Sequence, residues 1–240
     1  MQIIDCENKD YTQVCKEVRI SEDKDVCLHN CLGQRYIAAG LNNKNILIEG
    51  VPGNALGAYL DGANIEVNAS VQDAVGDTMN AGKIVVRGSS GDATGYAMRG
   101  GKIYIKDDAG YRAGIHMKAY KENFPIIVIG GKCGSFLGEY MAGGIIVVLN
   151  LKEDKQIVGN FTGVGMHGGK IFLRTKDLNA NLPPQVKCDI ATKEEIKEIE
   201  KYILEYAKDF SIDAQELLSS QYYVLKPNSA NPYKRLYTAH

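Results

Sequence analysis

The chain has 240 residues and a formal net charge of −1 at pH 7, so its charge gives no basis for binding nucleic acid or a membrane surface. It contains no run of eighteen apolar residues, and its N-terminal sequence lacks the apolar segment of a secretory signal. We therefore expect a cytoplasmic protein whose six cysteines are reduced thiols rather than disulfides.

Residues 1–40 are a lead-in of mixed polarity, which we interpret as a cap on the repeats that follow. Thiols and imidazoles are ligands that zinc prefers. The lead-in contains five such residues: Cys6, Cys15, Cys27, His29 and Cys31. Their spacing is irregular, and iron–sulfur sites usually cluster their cysteines more tightly. The pattern therefore favours free, half-buried thiols over a metal site.

Residues 41–176 repeat a glycine-based pattern about every nineteen residues. In most repeats the pattern is Gly-x-x-x-Gly, then two mostly polar or small residues, a methionine or leucine, and a short apolar segment. The last glycine of the pattern recurs at Gly57, Gly76, Gly95, Gly114, Gly138 and Gly163. A fixed period of this length is typical of a solenoid. Glycine at its corners would permit a positive φ and close approach of successive coils.

Each repeat also carries two apolar residues two positions apart, which point to one face of a strand. These pairs are Ile46/Ile48, Ile65/Val67, Ile84/Val86, Ile103/Ile105, Ile127/Ile129, Ile146/Val148 and Ile171/Leu173. The interval widens only at 118–124 and 151–156, as expected for loops that lengthen at one corner of a coil. We predict an all-β fold: a single-stranded right-handed β-helix of about seven rungs with a C-terminal helical segment.

Two other positions recur from repeat to repeat, each as a column of similar residues, and both have structural interpretations. One of them consists mainly of asparagine and aspartate, which in turns commonly form hydrogen bonds with backbone groups. We therefore predict that these side chains form a hydrogen-bonded ladder from repeat to repeat rather than a carboxylate site. That column holds Asn54, Asp73, Asp92, Ser135 and Asn160. Five methionines form the second column together with Leu60, and we interpret it as stacked core. They are Met79, Met98, Met117, Met141 and Met166.

Other motifs do not support a nucleotide or catalytic site. Gly163-x-Gly165-x-x-Gly168 has the letters of a dinucleotide-binding fingerprint, but a strand rather than a helix follows it. The glycine-rich segments 88–95 and 130–135 meet the same objection as phosphate loops. His116 and His167 occupy different positions in their repeats and are not expected to converge. We predict no catalytic, cofactor-binding or metal-binding residue, and no cofactor.

Residues 177–240 lack the glycine repeat. An extended stretch leads to a predicted helix at 192–210, where Thr192 and Glu195 form a capping box. Helical spacing places five residues on one apolar face of it: Ile196, Ile199, Ile203, Tyr206 and Phe210. A shorter helix at 213–218 and an extended tail are predicted to follow.

The residues between the inward-facing pairs form an apolar stripe on the opposite face of the predicted strands. This outer stripe consists of Val85, Tyr104, Val128, Val147 and Phe172. Long apolar stripes usually mark contacts. We expect the C-terminal helix to cover part of the outer stripe and the remainder to bind another chain, burying at least about 1,000 Å². A homo-oligomer is one form of that association.

The repeats and the tail together resemble the GXGXG domain of glutamate synthase, the C-terminal β-helix of its large subunit. The resemblance rests on GNALGAYLDGANIEV at 53–67, DATGYAMRGGKIYI at 92–105, GNFTGVGMHGGKIFL at 159–173 and YYVLKPNSANPYKRLY at 222–237. It covers roughly residues 30–238. The repeat alone is also similar to the C subunit of formylmethanofuran dehydrogenase.

The resemblance implies the structural subunit of a split glutamate synthase, which makes glutamate from glutamine and 2-oxoglutarate. Separate amidotransferase and FMN/iron–sulfur chains would carry the chemistry. This chain begins Met-Gln-Ile-Ile, without the family's N-terminal catalytic cysteine, and leaves no room for a flavin barrel. Two alternatives remain open: a subunit of a formylmethanofuran dehydrogenase-like complex, and an autonomous β-helix enzyme with carboxylates clustered on one strand face.

Overall fold

The computed structural model describes residues 1–228. Its strands are β1 (Gln2–Asp5), β2 (Asp25–Leu32), β3 (Asn45–Val51), β4 (Asp61–Val67), β5 (Ala81–Val86), β6 (Lys102–Ile105), β7 (Ile126–Ile129), β8 (Ala142–Val148), β9 (Gly168–Arg174), β10 (Val186–Ile190) and β11 (Tyr222–Pro227). Its helices are α1 (Tyr11–Ile20), α2 (Lys193–Phe210) and α3 (Ala214–Ser219). The Tyr233-Lys234-Arg235 end of the tail lies outside the described residues.

These eleven strands form one mostly parallel sheet. Strands β1 to β9 pair in sequence order and in parallel, and β11 and β10 then add in antiparallel fashion. The inward pairs align as predicted: the first members form one column from Ile46 to Ile171, and the second members form another from Ile48 to Leu173. The all-β class and this register are confirmed.

The repeated glycines occupy tight turns between the strands. Their φ angles lie between +64° and +73°, as the sequence predicted. Packing adds a second requirement, because a Cβ on Gly95 would lie only 2.5 Å from Cδ1 of Ile127. The corner glycines from Gly57 to Gly138 therefore combine a left-handed backbone with contact to an inward residue of a later strand.

Hydrogen bonds also link successive turns. The Asp92 backbone N–H donates to Asp73 Oδ1 at 2.9 Å, and the Tyr111 N–H donates to Asp92 Oδ1 at 2.8 Å. The Asn160 N–H likewise donates to Ser135 Oγ at 3.0 Å. The predicted ladder is confirmed, and the methionine column is fully buried as expected.

The lead-in packs against the N-terminal strands of the sheet. Val14 and Val18 of α1 are buried in the main core. Arg19 Nη2 donates to Ala39 O at 2.6 Å, and Cys15 Sγ lies 3.3 Å from Tyr36 O. After β9, a segment that includes Leu178, Ala180, Leu182 and Val186 packs against the same core.

Helix α2 has the predicted capping box of Thr192 and Glu195, and α3 begins after its cap Asp213. Rather than capping an end, α2 lies on the outer face of the sheet. Its buried face packs on the outer stripe, together with Leu217 of α3.

The expectation that part of the outer stripe stays exposed is wrong. Its five residues are at most 7% exposed in the single chain. The reason is that α2 buries Tyr202 in addition to the predicted Ile199, Ile203, Tyr206 and Phe210, and so covers a wider area. Any association with another chain therefore uses a different surface.

Candidate functional site

The outer face of β1–β4 is open, because α2 ends over β5. Asp209 near the end of the helix pairs with Lys83 of β5, and Arg87 lies over the Phe210 ring at 5.9 Å. Beyond this point the sheet is exposed, with Ile3 at 62% of its surface and the Glu49 side chain at 46%. Ile3 and Glu49 on this part of the sheet are therefore accessible to other molecules.

Cys27, His29 and Glu49 meet on this open face. Val26 and Leu28 pair with Ile46 and Ile48 and point into the core, so the alternate residues of β2 point outward. Cys27 Sγ lies 3.4 Å from His29 Nε2. His29 Nδ1 lies 2.9 Å from Glu49 Oε2. A thiol, an imidazole and a carboxylate are therefore in contact in that order.

Cys31, another thiol of the lead-in, is directed elsewhere by a bulge in β2. The register of β2 shifts between Leu28 and Cys31, and Asn30 in between has φ of +54°. Cys31 consequently turns into the core, where Sγ lies 3.4 Å from Gln34 Oε1. Contact with Cys6 and then burial raise the pKa of the Cys31 thiol. The five lead-in residues thus do not share one site.

All six cysteines lie within residues 1–228, and each is a free thiol in this structure. Burial, with a smaller contribution from Glu49, raises the pKa of Cys27. Burial also raises the pKa of Cys133, to about 12. A raised thiol pKa is the opposite of what activates a nucleophilic cysteine.

Two kinds of chemistry match a thiol, an imidazole and a carboxylate in contact. In a cysteine nucleophile site, a carboxylate orients a base and the base lies beside the thiol, which is the arrangement seen here. The ligand atoms also lie within 4.8 Å of one another, as in a site for a divalent metal ion. Cys27 is only 3% exposed, which leaves little access for a bulky substrate. Among residues 1–228 this is the one such cluster of three or more metal-binding side chains.

A polar cleft of about 820 Å³ lies between the loop after β8 and the segment joining α3 to β11. Its buried cation, Arg174, is already satisfied: it donates to Ser220 Oγ at 2.8 Å, to Leu149 O at 3.2 Å and to Glu216 Oε1 at 3.2 Å. The arginine therefore ties α3 to β9 and is not free to bind an anion.

The remaining sequence motifs are structural. His116 stacks on Tyr140 with a centroid separation of 5.3 Å, whereas His167 Nδ1 lies 3.3 Å from Gly165 O, so the two histidines have separate partners. The Gly163–Gly168 motif leads directly into β9 and not into a helix, as predicted.

Glu49 was not singled out by the sequence, although a signal for it exists. Val26 and Leu28 precede Ile46 and Ile48 by twenty residues, about one repeat. Recognising them as a further inward pair would have placed Cys27 and His29 on the outer face and Glu49 beside His29.

Residues 8–228 match the family described as GXGXG motif, which is most of the chain. The chain belongs to the GXGXG motif family. A protein of Methanocaldococcus jannaschii, described as "Uncharacterized protein MJ1350", is 41% identical over 250 residues, which cover 98% of this GXGXG protein and 96% of that one.

The fold is also similar to that of a chain in a crystal structure from Methylorubrum extorquens. That structure is of the formyltransferase/hydrolase complex (FhcABCD) with methylofuran. The TM-score is 0.67 at 19% identity, over 92% of this GXGXG protein and 90% of that chain. At this level of identity the similarity concerns the fold alone.

No helix within residues 1–228 has the length and apolar character needed to span a bilayer.

Proposed function

We propose that this GXGXG protein is a non-catalytic assembly subunit of a multi-chain enzyme. In this proposal the parallel sheet and its turns wind as a right-handed β-helix of about seven glycine-repeat rungs. The units are a cap at 1–40, the coils at 41–176 and a C-terminal segment at 177–240.

One observation carries the proposal: the repeated polar groups are used within the fold. The turn carboxylates Asp73 and Asp92 accept backbone hydrogen bonds from the next coil. The outward strand residues from β5 to β9 are mostly apolar and buried under α2. An autonomous β-helix enzyme would instead need carboxylates clustered on an accessible strand face. A chain of similar fold occurs in a multi-component complex, which supports a subunit role.

Glutamate synthase is the complex that we favour. The resemblance of the repeats together with the tail supports separate amidotransferase and FMN/iron–sulfur chains as partners, in the synthesis of glutamate from glutamine and 2-oxoglutarate. A formylmethanofuran-related complex is the second candidate, and the fold similarity to a chain of FhcABCD favours it.

Purification of the chain from its native source, with identification of the bound proteins, tests the proposal. Amidotransferase and flavin chains are the expected partners, whereas formyltransferase or hydrolase chains would establish the second candidate. The pure chain should also show no turnover of glutamine with 2-oxoglutarate and a reductant, and no flavin spectrum. Turnover by the chain alone would overturn the assembly role.

A further inference from the structure

We propose that Cys27 and His29 bind a divalent metal ion of the zinc type, with Glu49 holding the imidazole in position. This proposal revises the sequence-based expectation that the chain has no metal site, and it does not depend on the identity of the partner chains.

The separation of the two ligand atoms fits a shared metal ion. Zinc binds thiolate sulfur at about 2.3 Å and imidazole nitrogen at about 2.0–2.1 Å in a tetrahedral arrangement. These values place sulfur and nitrogen about 3.6 Å apart. Cys27 Sγ and His29 Nε2 are 3.4 Å apart, which is close to the separation that a shared ion requires.

Glu49 is placed to orient the histidine. Its Oε2 lies 2.9 Å from Nδ1, so Nδ1–H donates to the carboxylate and Nε2 keeps its lone pair toward Cys27. Metal-bound histidines usually donate their second ring N–H to a carboxylate or carbonyl in this way. Glu49 is therefore a positioning residue, and the metal ligands are Cys27 Sγ and His29 Nε2.

The backbone holds both ligands rigidly, because their neighbours Val26 and Leu28 are buried in the core. The His29 side chain is 39% exposed, so the remaining coordination positions face solvent. Water, or a side chain of another protein, completes the tetrahedron there.

Binding replaces one proton by one metal ion. The S–H bond of Cys27 breaks, a sulfur–metal bond forms, and the proton leaves to solvent, with no change of oxidation state. Thiolate and imidazole ligands favour zinc and related transition metals over Mg²⁺ or Ca²⁺.

The full chain without a polyhistidine tag is titrated with Co²⁺ under reducing conditions, and the thiolate-to-cobalt charge-transfer absorption is followed. One ion per chain is expected, displaced by Zn²⁺ and not by Mg²⁺. Cys27→Ser should abolish the band, and His29→Gln should weaken binding at least about tenfold. Glu49→Gln should weaken binding about 10–100-fold without abolishing the band. Cys188→Ser, which changes another thiol, should behave as the wild type.

The melting temperature of each metal-free variant separates lost binding from lost folding. If Cys27→Ser does not fold, X-ray absorption spectroscopy of the zinc-loaded wild type identifies the atoms bound to zinc. One sulfur and one histidine nitrogen are expected among them. A zinc ion without a sulfur ligand would overturn the proposal. A charge-transfer band that persists in Cys27→Ser would also overturn it. So would a chain that binds no metal but whose Cys27 is alkylated rapidly in a His29-dependent way, because such reactivity would indicate a nucleophile.

Discussion

Lys102 Nζ lies 2.6 Å from Glu205 Oε2, although the two residues are 103 positions apart in the chain. Tyr104 Oη donates to the same carboxylate oxygen at 3.0 Å. Equivalent pairs along α2 are Lys83–Asp209, Lys170–Glu198 and Lys226–Glu195. Partly exposed ion pairs of this kind contribute modest stability individually. They fix the position of α2 on the sheet, and apolar burial beneath it supplies most of the stability.

The spacing of these pairs shows how the helix lies. From Glu195 to Asp209, fourteen residues rise about 21 Å along a helix. Their partners lie on β11 and β5, five strand steps apart in the sheet, or about 24 Å. The two lengths agree, so α2 crosses the strands nearly at right angles.

Gly95→Ala should lower the free energy of unfolding by more than about 1 kcal/mol. The new Cβ would combine a φ of +69° with a contact 2.5 Å from Ile127 Cδ1. Chemical denaturation measures the loss. Ile127→Val removes the clashing methyl group and should recover part of the cost in the double variant. Ala97→Gly, at φ +48° in the same turn, should not destabilise. Equal stability of Gly95→Ala and wild type would contradict the packing argument.

Ile203→Ala should destabilise the protein by about 2–5 kcal/mol, because this fully buried side chain of α2 packs on the outer stripe. The adjacent Leu204, which is 44% exposed, is the matched control. Leu204→Ala should cost less than about 1 kcal/mol. Thermal and denaturant unfolding of the pair measure the difference. Similar losses in the two variants would mean that α2 does not dock by this face.

Tyr206→Phe and Tyr222→Phe should differ in their effect on stability, although both hydroxyls are buried. Tyr206 Oη donates to Ile105 O at 3.1 Å, whereas Tyr222 Oη has no hydrogen-bond partner among residues 1–228. Losing the first hydroxyl should cost about 1 kcal/mol. Removing the second should leave stability unchanged or raise it, because an unpaired buried polar group is unfavourable. A larger loss in Tyr222→Phe than in Tyr206→Phe would contradict these contacts.

The stabilisation contributed by Glu205 should depend on pH. Burial raises the pKa of this carboxyl, but the hydrogen bonds from Lys102 and Tyr104 more than offset it, so the net pKa lies below the ordinary value of 4.5. The folded state therefore favours the ionised form. Its stabilisation is complete above pH 4.5 and is lost as pH falls through the folded-state pKa.

Unfolding of wild type and Glu205→Gln across this pH range provides the test. The wild type should be more stable at neutral pH, and the difference should shrink in acid. Glu200→Gln, on the exposed side of α2, is the control and should change stability little. A difference that grows in acid would show that the sign is wrong.

The repeats made much of the sheet predictable. Each coil contacts its neighbours at nearly constant offset, so one column of residues predicts the next, and Ile46 pairs with Ile65 as the period requires. The caps of α2 were also predictable, because Thr192 and Glu195 interact locally.

The structural features that the sequence did not reveal depend on contacts between distant segments or on irregular strand pairing. Strand β2 carries the inward pair Val26 and Leu28 without the glycine pattern, and a bulge at Asn30 interrupts it. The contact of Cys27, His29 and Glu49 follows from that register and so was missed. The full coverage of the outer stripe depends on docking between segments about a hundred residues apart, as Tyr206 and Ile105 show.

The agreement between the length of α2 and the sheet beneath it restricts how this protein can evolve. Duplication of a repeat is a common way for solenoids to lengthen, because each coil contacts only its neighbours. An extra coil between β5 and β9 would move Lys83 about 4.8 Å further from Lys170, and Asp209 and Glu198 could no longer reach both lysines. Coils can be added without this mismatch only before β5, on the side that α2 leaves open. The length of α2 thus fixes the number of strands from β5 to β11 and leaves the number before β5 free to vary.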